Sequence, residues 1–152
     1  MDFGLTDKRA FVGGGSRGIG KAIAGCLAGA GAKVMITSRK AEACEATVAE
    51  LAAETGGDLA YEAGNVGRVE DMERVIGATI ETFGALDILV NNAGLSSSSF
   101  EDPMSNEGWH AIMGVNATGV FLGTKHAVPS MRRAGGGSIV NISSILGFVG
   151  SD

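Results

Sequence analysis

VGGGSRGIG (Val12–Gly20) is the stretch whose reading decides the fold. A short apolar run, RAFV (9–12), leads into it. It opens GIGKAIAGCLAGAGA (18–32), where Ile19, Ile23 and Leu27 recur at helical spacing on one face. A buried strand that turns through glycines straight into a helix is the first half of a β-α-β unit, and KVMIT (33–37) supplies the second strand. Two glycine registers fit the turn: Gly13, Gly15 and Gly18 match G-x-G-x-x-G, while Gly14, Gly18 and Gly20 match G-x-x-x-G-x-G. The physics is common to both. Glycine lets the backbone turn tightly and come close to a phosphate, whose charge meets free N–H groups and the positive end of the helix dipole. A purely structural turn could also use three glycines; the position between strand and helix is what favours a nucleotide.

Outward from this turn, strands and helical patterns alternate to the end of the chain. AEACEATVAELAAET (41–55) is an alanine-rich helix stopped by Gly56 and Gly57, and LAYEAGNV (59–66) is a third strand. VEDMERVIGATIETF (69–83) is an amphipathic helix ended by Gly84. LDILV (86–90) is almost wholly apolar, as a strand covered on both faces should be. A long helix is predicted from about Asn106 to Arg133, broken or kinked near Pro129. GGGSIVNIS (135–143) gives the fifth strand. The alternation predicts an α/β fold, a doubly wound parallel sheet with helices on both faces. No linker, low-complexity segment or repeat divides it, so the chain reads as one domain, or part of one.

Bulk composition narrows the classes. The chain has 152 residues, enough to bury a sizeable core, and 45% apolar with 19% charged residues describes a globular protein. A net charge of −5 argues against general binding to nucleic acid or a membrane surface. No apolar run approaches the ~20 residues of a membrane span. MDFGLTDKRA carries no basic segment followed by an apolar one, so no secretory signal is read and the expected location is cytoplasmic. Cys26 and Cys44 fall in helical patterns without metal-type spacing and read as reduced thiols; no metal site is expected.

The end of the second strand is where an adenosine ribose would be met. An acid there accepts from a 2′-hydroxyl, whereas a base holds a 2′-phosphate. This chain has ITSRK (36–40), with no acid before Glu42, and Arg17 adds a cation in the turn. A guanidinium pairs bidentately with phosphate, so NADP is the expected cofactor over NAD. The plainer alternative is that Arg39 and Lys40 solvate a loop. LDILVNNAG (86–94) then places two asparagines and a bare glycine backbone at the carboxyl edge of the sheet, where open α/β folds bind ligands.

GGGSRGIG, LDILVNNAG, VNATGVF and GSIVNISS, in this order and spacing, resemble the short-chain dehydrogenase/reductase family. They are most similar to its branch of 3-oxoacyl-carrier-protein reductases and related NADPH-dependent carbonyl reductases. The resemblance runs from Leu5 to Gly150. It implies a Rossmann sheet in the order 3-2-1-4-5 with about five of the family's seven strands, residues 1–152 being C-terminally incomplete relative to the family. It implies hydride transfer between a nicotinamide cofactor and a small carbonyl or alcohol substrate. Gly14, Gly18 and Gly20 match the family's cofactor glycines. Ser16, Arg17 and Ile19 would line the phosphates, and Ser38 and Arg39 would meet the 2′-phosphate end. Asn65 and Val66 would sit by the adenine; Asn92, Ala93 and Gly94 would contact the ribose near the nicotinamide. Asn116 matches the asparagine that holds a proton-relay water, and Ser144 the serine that binds the substrate oxygen. Intact relatives are usually dimers or tetramers, so a homo-oligomer is implied.

Three departures stand out. Gly13 replaces a usual threonine, which removes a hydroxyl that helps fix the turn. Asn65 replaces a commoner aspartate, its amide carbonyl still able to accept from an adenine amine. The family's acid-base tyrosine comes about thirteen residues after the serine, with a lysine about four further on, which from Ser144 lies past Asp152. The single tyrosine, Tyr61, reads as a strand packing residue, and His110 and His126 read as surface or interface groups. These 152 residues are therefore expected to be inactive alone. The alternative is a catalytically silent dinucleotide-binding module. Apolar positions on the long helix, Ile112, Val115, Val120 and Phe121, are expected to be partly exposed, and the fifth strand to form an apolar sheet edge.

Overall fold

The computed structural model describes residues 3–147 apart from Pro103, together with Val149. Five strands, Arg9–Gly13 (β1), Lys33–Thr37 (β2), Leu59–Tyr61 (β3), Ile88–Asn91 (β4) and Ser138–Asn141 (β5), form one sheet in the order β3-β2-β1-β4-β5. Every neighbouring pair is parallel. Parallel neighbours need crossovers, which the helices Gly18–Gly29 (α1), Ala41–Thr55 (α2), Val69–Phe83 (α3), Asn106–Met113 (α4) and Gly119–Arg133 (α5) supply. The doubly wound sheet and its order are those expected from the sequence.

Alternation along β1 and β2 divides the core between the two faces. Ala10, Val12, Val34 and Ile36 pack against Ala24 and Ala28 of α1 and against Cys44 and Leu51 of α2. Phe11 and Met35 point the other way, onto Met72, Val75 and Ile76 of α3 and Leu122 of α5. Burying a side chain such as Phe11 completely removes enough apolar surface to stabilise the fold by roughly 2–3 kcal/mol. Alanines on α1 let that helix lie close to the sheet, and the larger residues fill the α3 side.

Three elements differ from the sequence expectation. β3 stops at Tyr61, and residues 62–66 continue as loop toward the carboxyl edge of the sheet. α1 ends at Gly29 rather than at residue 32. The long helix does not break at Pro129, which lies inside α5 four residues before its end at Arg133. Its irregularity comes earlier, as a π-helical turn at Gly114–Thr118 between α4 and α5. A π turn holds one residue more per turn than an α-helix and so has no distinct apolar signature to read.

The expected exposures hold. Phe121 is 63% exposed, Ile112, Val115 and Val120 are half-buried, and Trp109 and Met113 of α4 are exposed as well. β5 is exposed along its whole length, with β4 its one partner among the described residues. No helix among the described residues is long and apolar enough to cross a membrane.

Candidate functional site

The carboxyl ends of β1, β2 and β4 and the loop after β3 surround a cleft of about 550 Å3. Its floor is the turn from Gly14 to Gly20. A methyl group at Gly20 would stand 2.2 Å from the carbonyl oxygen of Gly14 and 2.5 Å from the Asn92 amide nitrogen, and one at Gly14 would stand 2.9 Å from Cα of Ala93. Any side chain at either position would therefore fill the space through which the backbone approaches its neighbours. This is the close approach that the glycines permit.

Helix α1 begins at the cleft. No side chain caps its first turn, and that turn holds no acidic residue. Its leading N–H groups and the positive end of its dipole are thus open to an anion. Arg17, Arg39 and Lys40 also line the cleft, and among the described residues no carboxylate does. Three cations, an uncapped helix start and a cradle that a Cβ would fill are the chemistry a dinucleotide phosphate needs.

The walls are held by specific bonds. The Gly15 N–H donates to the Thr37 carbonyl at 3.1 Å, and Thr37 Oγ1 donates to the Glu62 carbonyl at 2.6 Å, so the ends of β1, β2 and β3 are tied in series. Asn92 Nδ2 donates to the carbonyls of Gly13 at 3.0 Å and Gly14 at 3.3 Å, which fastens the end of β4 to the glycine turn. Asn65 Oδ1 accepts from the Gly67 N–H at 3.0 Å, so one lone pair of the expected adenine acceptor is already used inside its own turn. The Asn65 N–H donates to Asp71 at 2.9 Å. That bond, helped by Arg74, holds the Asp71 carboxyl below its ordinary range.

All the residues expected at the cofactor, from Gly14 on the turn to Gly94 after β4, line this one cleft. Ala43, Gly64, Leu95 and Val115 line it as well. Without a polar or charged side chain, they carry no chemical signal of their own in a sequence. Exposed Ile19 lies at its mouth.

The chain matches the short chain dehydrogenase family model over residues 8–152. It belongs to that family. A 3-oxoacyl-[acyl-carrier-protein] reductase of Synechocystis sp. is 40% identical over 148 residues, which are 97% of this chain and 60% of that protein. A 2,5-dichloro-2,5-cyclohexadiene-1,4-diol dehydrogenase of Sphingobium indicum is 39% identical over 95% of this chain and 57% of its own. Among solved structures, a short chain dehydrogenase from Burkholderia cenocepacia in complex with NADP superposes with a TM-score of 0.86 at 35% identity, over 97% of this chain and 60% of that one. The chain thus spans about 60% of the length of the short-chain dehydrogenases it matches.

Two of the expected site residues stand apart from the cleft lining. Asn116 lies in the π turn, where its Oδ1 accepts from the Leu95 N–H at 2.8 Å and its Nδ2 donates to the Leu95 carbonyl at 2.8 Å. Both ends of its amide thus hold the loop after β4 in place. Ser144 lies past the end of β5, exposed, its Oγ accepting from the Leu146 N–H at 3.2 Å. Tyr61 is half-buried against the α1 and α2 side of the core. His110 is exposed and His126 half-buried on α5, and neither lines the cleft.

Proposed function

We propose that this chain is the dinucleotide-binding part of an NADP-preferring oxidoreductase that acts on a small carbonyl or alcohol substrate. One observation carries the reading: every residue expected at the cofactor lines a single cleft that, among the described residues, holds three cations and no carboxylate. The Gly14–Gly20 turn and the start of α1 receive the pyrophosphate. Arg39, with Arg17 and Lys40 near it, pairs with the 2′-phosphate. Asn65 and Val66 border the adenine, and Asn92, Ala93 and Gly94 border the nicotinamide ribose. When bound, the nicotinamide supplies or accepts the hydride. Ser144 donates to the substrate oxygen and Asn116 steadies the loop that faces it. The named relatives share nearly equal identity with this chain, yet their names point to different substrates, so the substrate class stays at carbonyl or alcohol.

Among the described residues no tyrosine, histidine or cysteine lines the cleft, and Lys40 is its one lysine. The 152 residues alone are therefore expected to bind cofactor without turnover. A catalytically silent binding module is the second reading, favoured by the place of Ser144 outside the cleft lining. We assign the protein to the cytoplasm as a homo-oligomer, with no nucleic-acid or membrane partner.

The test is a fluorescence titration with NADPH and with NADH. The reading expects NADPH to bind at least about tenfold tighter, the worth of roughly one charge-assisted phosphate pair. Arg39→Ala should erase most of that difference. No response to millimolar NADPH would sink the cofactor assignment, and carbonyl reduction by the 152-residue chain would sink the claim of inactivity.

A further inference from the structure

Helix α2 runs behind the cleft, and two polar side chains on its buried face reach the two loops that bear the cations. Thr47, 5% exposed, directs Oγ1 to the Ser16 carbonyl at 2.9 Å and to the Ala43 carbonyl of its own helix at 2.8 Å. A hydroxyl has one proton, so the two acceptors share it. One helical turn earlier, fully buried Cys44 places Sγ 3.1 Å from Ser38 Oγ, a contact in which either group donates. The first tie ends one residue before Arg17, and the second one residue before Arg39. The two cations thus hang from neighbouring anchors on one rigid helix.

We propose that Thr47 and Cys44 are positioning residues that set the spacing between Arg17 and Arg39, and with it the preference for a phosphate at the 2′ position. The inference rests on the cofactor reading above, and it adds a determinant that never touches the ligand. Charge-assisted pairing depends steeply on geometry. A loop released by a few tenths of an ångström keeps its charge but loses its aim. The pyrophosphate is shared among several backbone N–H groups of the Gly14–Gly20 turn and the start of α1, so one loosened anchor costs it less than it costs the aimed side-chain pairing at the 2′-phosphate. Losing a tie therefore costs NADPH more than NADH.

The experiment measures dissociation constants for NADPH and NADH on the 152-residue chain carrying Thr47→Val, Thr47→Ser, Cys44→Ala or Val48→Ala. Thr47→Val keeps shape and removes the hydroxyl. It and Cys44→Ala are each expected to lower the NADPH-to-NADH preference about fivefold. Thr47→Ser restores the preference. Val48, half-buried on the same helix and packed against the core without such a bond, serves as the structural control. Its replacement lowers the melting temperature and leaves the preference alone. Equal weakening of both cofactors by Thr47→Val and Cys44→Ala, or no change in the ratio, overturns the proposal. Hydrogen exchange on the cofactor-free chain gives a second readout: Thr47→Val is expected to speed exchange at Gly15–Gly18, and unchanged protection there overturns the tie itself. A wild-type chain that binds neither cofactor overturns the cofactor reading and the specificity role with it, while the exchange result still reports on the tie.

Discussion

At the scale of single residues, the glycine turn makes opposite demands at two positions a few residues apart. Gly20 has no room: the atom a methyl group would strike, 2.2 Å away, is a backbone oxygen that cannot turn aside. Gly20→Ala is expected to open the turn, raising the NADPH dissociation constant at least about tenfold in a fluorescence titration. Gly13 is the reverse case. Its φ is not positive, and an added Cβ would meet the Val90 carbonyl, Val66 and Phe11 at 3.6–3.8 Å, ordinary contact distances. A small cavity between Gly13, Val66, Asn91 and Ala93 would accept it. Gly13→Ala is therefore expected to stabilise the chain by about 0.4–1 kcal/mol, chiefly by restricting the unfolded state. A melting temperature higher by roughly 1–4 °C checks it.

At the scale of elements, β1 and β4 are joined at their amino ends by Arg9 and Asp87. Asp87 accepts from the Arg9 backbone N–H at 2.9 Å, from Nε at 2.6 Å and from the second guanidinium nitrogen at 2.8 Å. The Arg9 side chain is the largest cause holding the Asp87 carboxyl below its ordinary range. A carboxyl lowered in the folded state adds stability that is whole above the unfolded value of about 3.9 and lost as pH falls through the folded one. Asp71, held down by the Asn65 N–H, acts with the same sign. Asp87→Asn is expected to cost about 1–3 kcal/mol at neutral pH. It should also flatten the fall in melting temperature between about pH 5 and pH 2. Elements were the most legible level of this chain. Strands such as Leu89-Val90, apolar toward both faces, and helices ending at Gly56 and Gly84 announce themselves in sequence. The π turn at Gly114–Thr118 does not, because one extra residue in a turn leaves the apolar spacing on either side intact. The candidate site divides in the same way. Gly20 and Arg39 stand in local motifs, whereas the bond from Thr47 to Ser16 crosses 31 residues and leaves no mark in either stretch.

At the scale of the whole molecule, charge is unevenly spread. The chain carries −5 overall, yet among the described residues the cleft is lined by three cations and no carboxylate. Attraction to an anionic cofactor is therefore local and open to screening. The NADPH dissociation constant is expected to rise several-fold between about 50 mM and 500 mM salt, with NADH changing less, when both are titrated across that range. Protection is uneven as well. Amides of β1 and β2 lie between helices, whereas β5 is exposed throughout. Exchange at Ile139 and Val140 is expected to outpace that at Phe11 and Met35 by orders of magnitude under native conditions, as measured by mass spectrometry.

The two-sided core carries a further consequence. Where one face of a sheet is wet, a slip of one residue turns apolar side chains into water and is rejected. Here both faces of β1 and β4 are dry, so a slipped strand would still bury oil against oil. Alignment must come from groups that tolerate no substitute partner. Arg9 and Asp87 are such a pair at one end of the β1–β4 ladder. At the other end of β4, Asn91 Nδ2 donates to Asn141 Oδ1 at 2.8 Å across the ladder to β5. Shifted by one position, the first pair would strand a charge and the second an amide. The strands are keyed at their tips like notched rods, and the apolar lengths between the notches are free to vary.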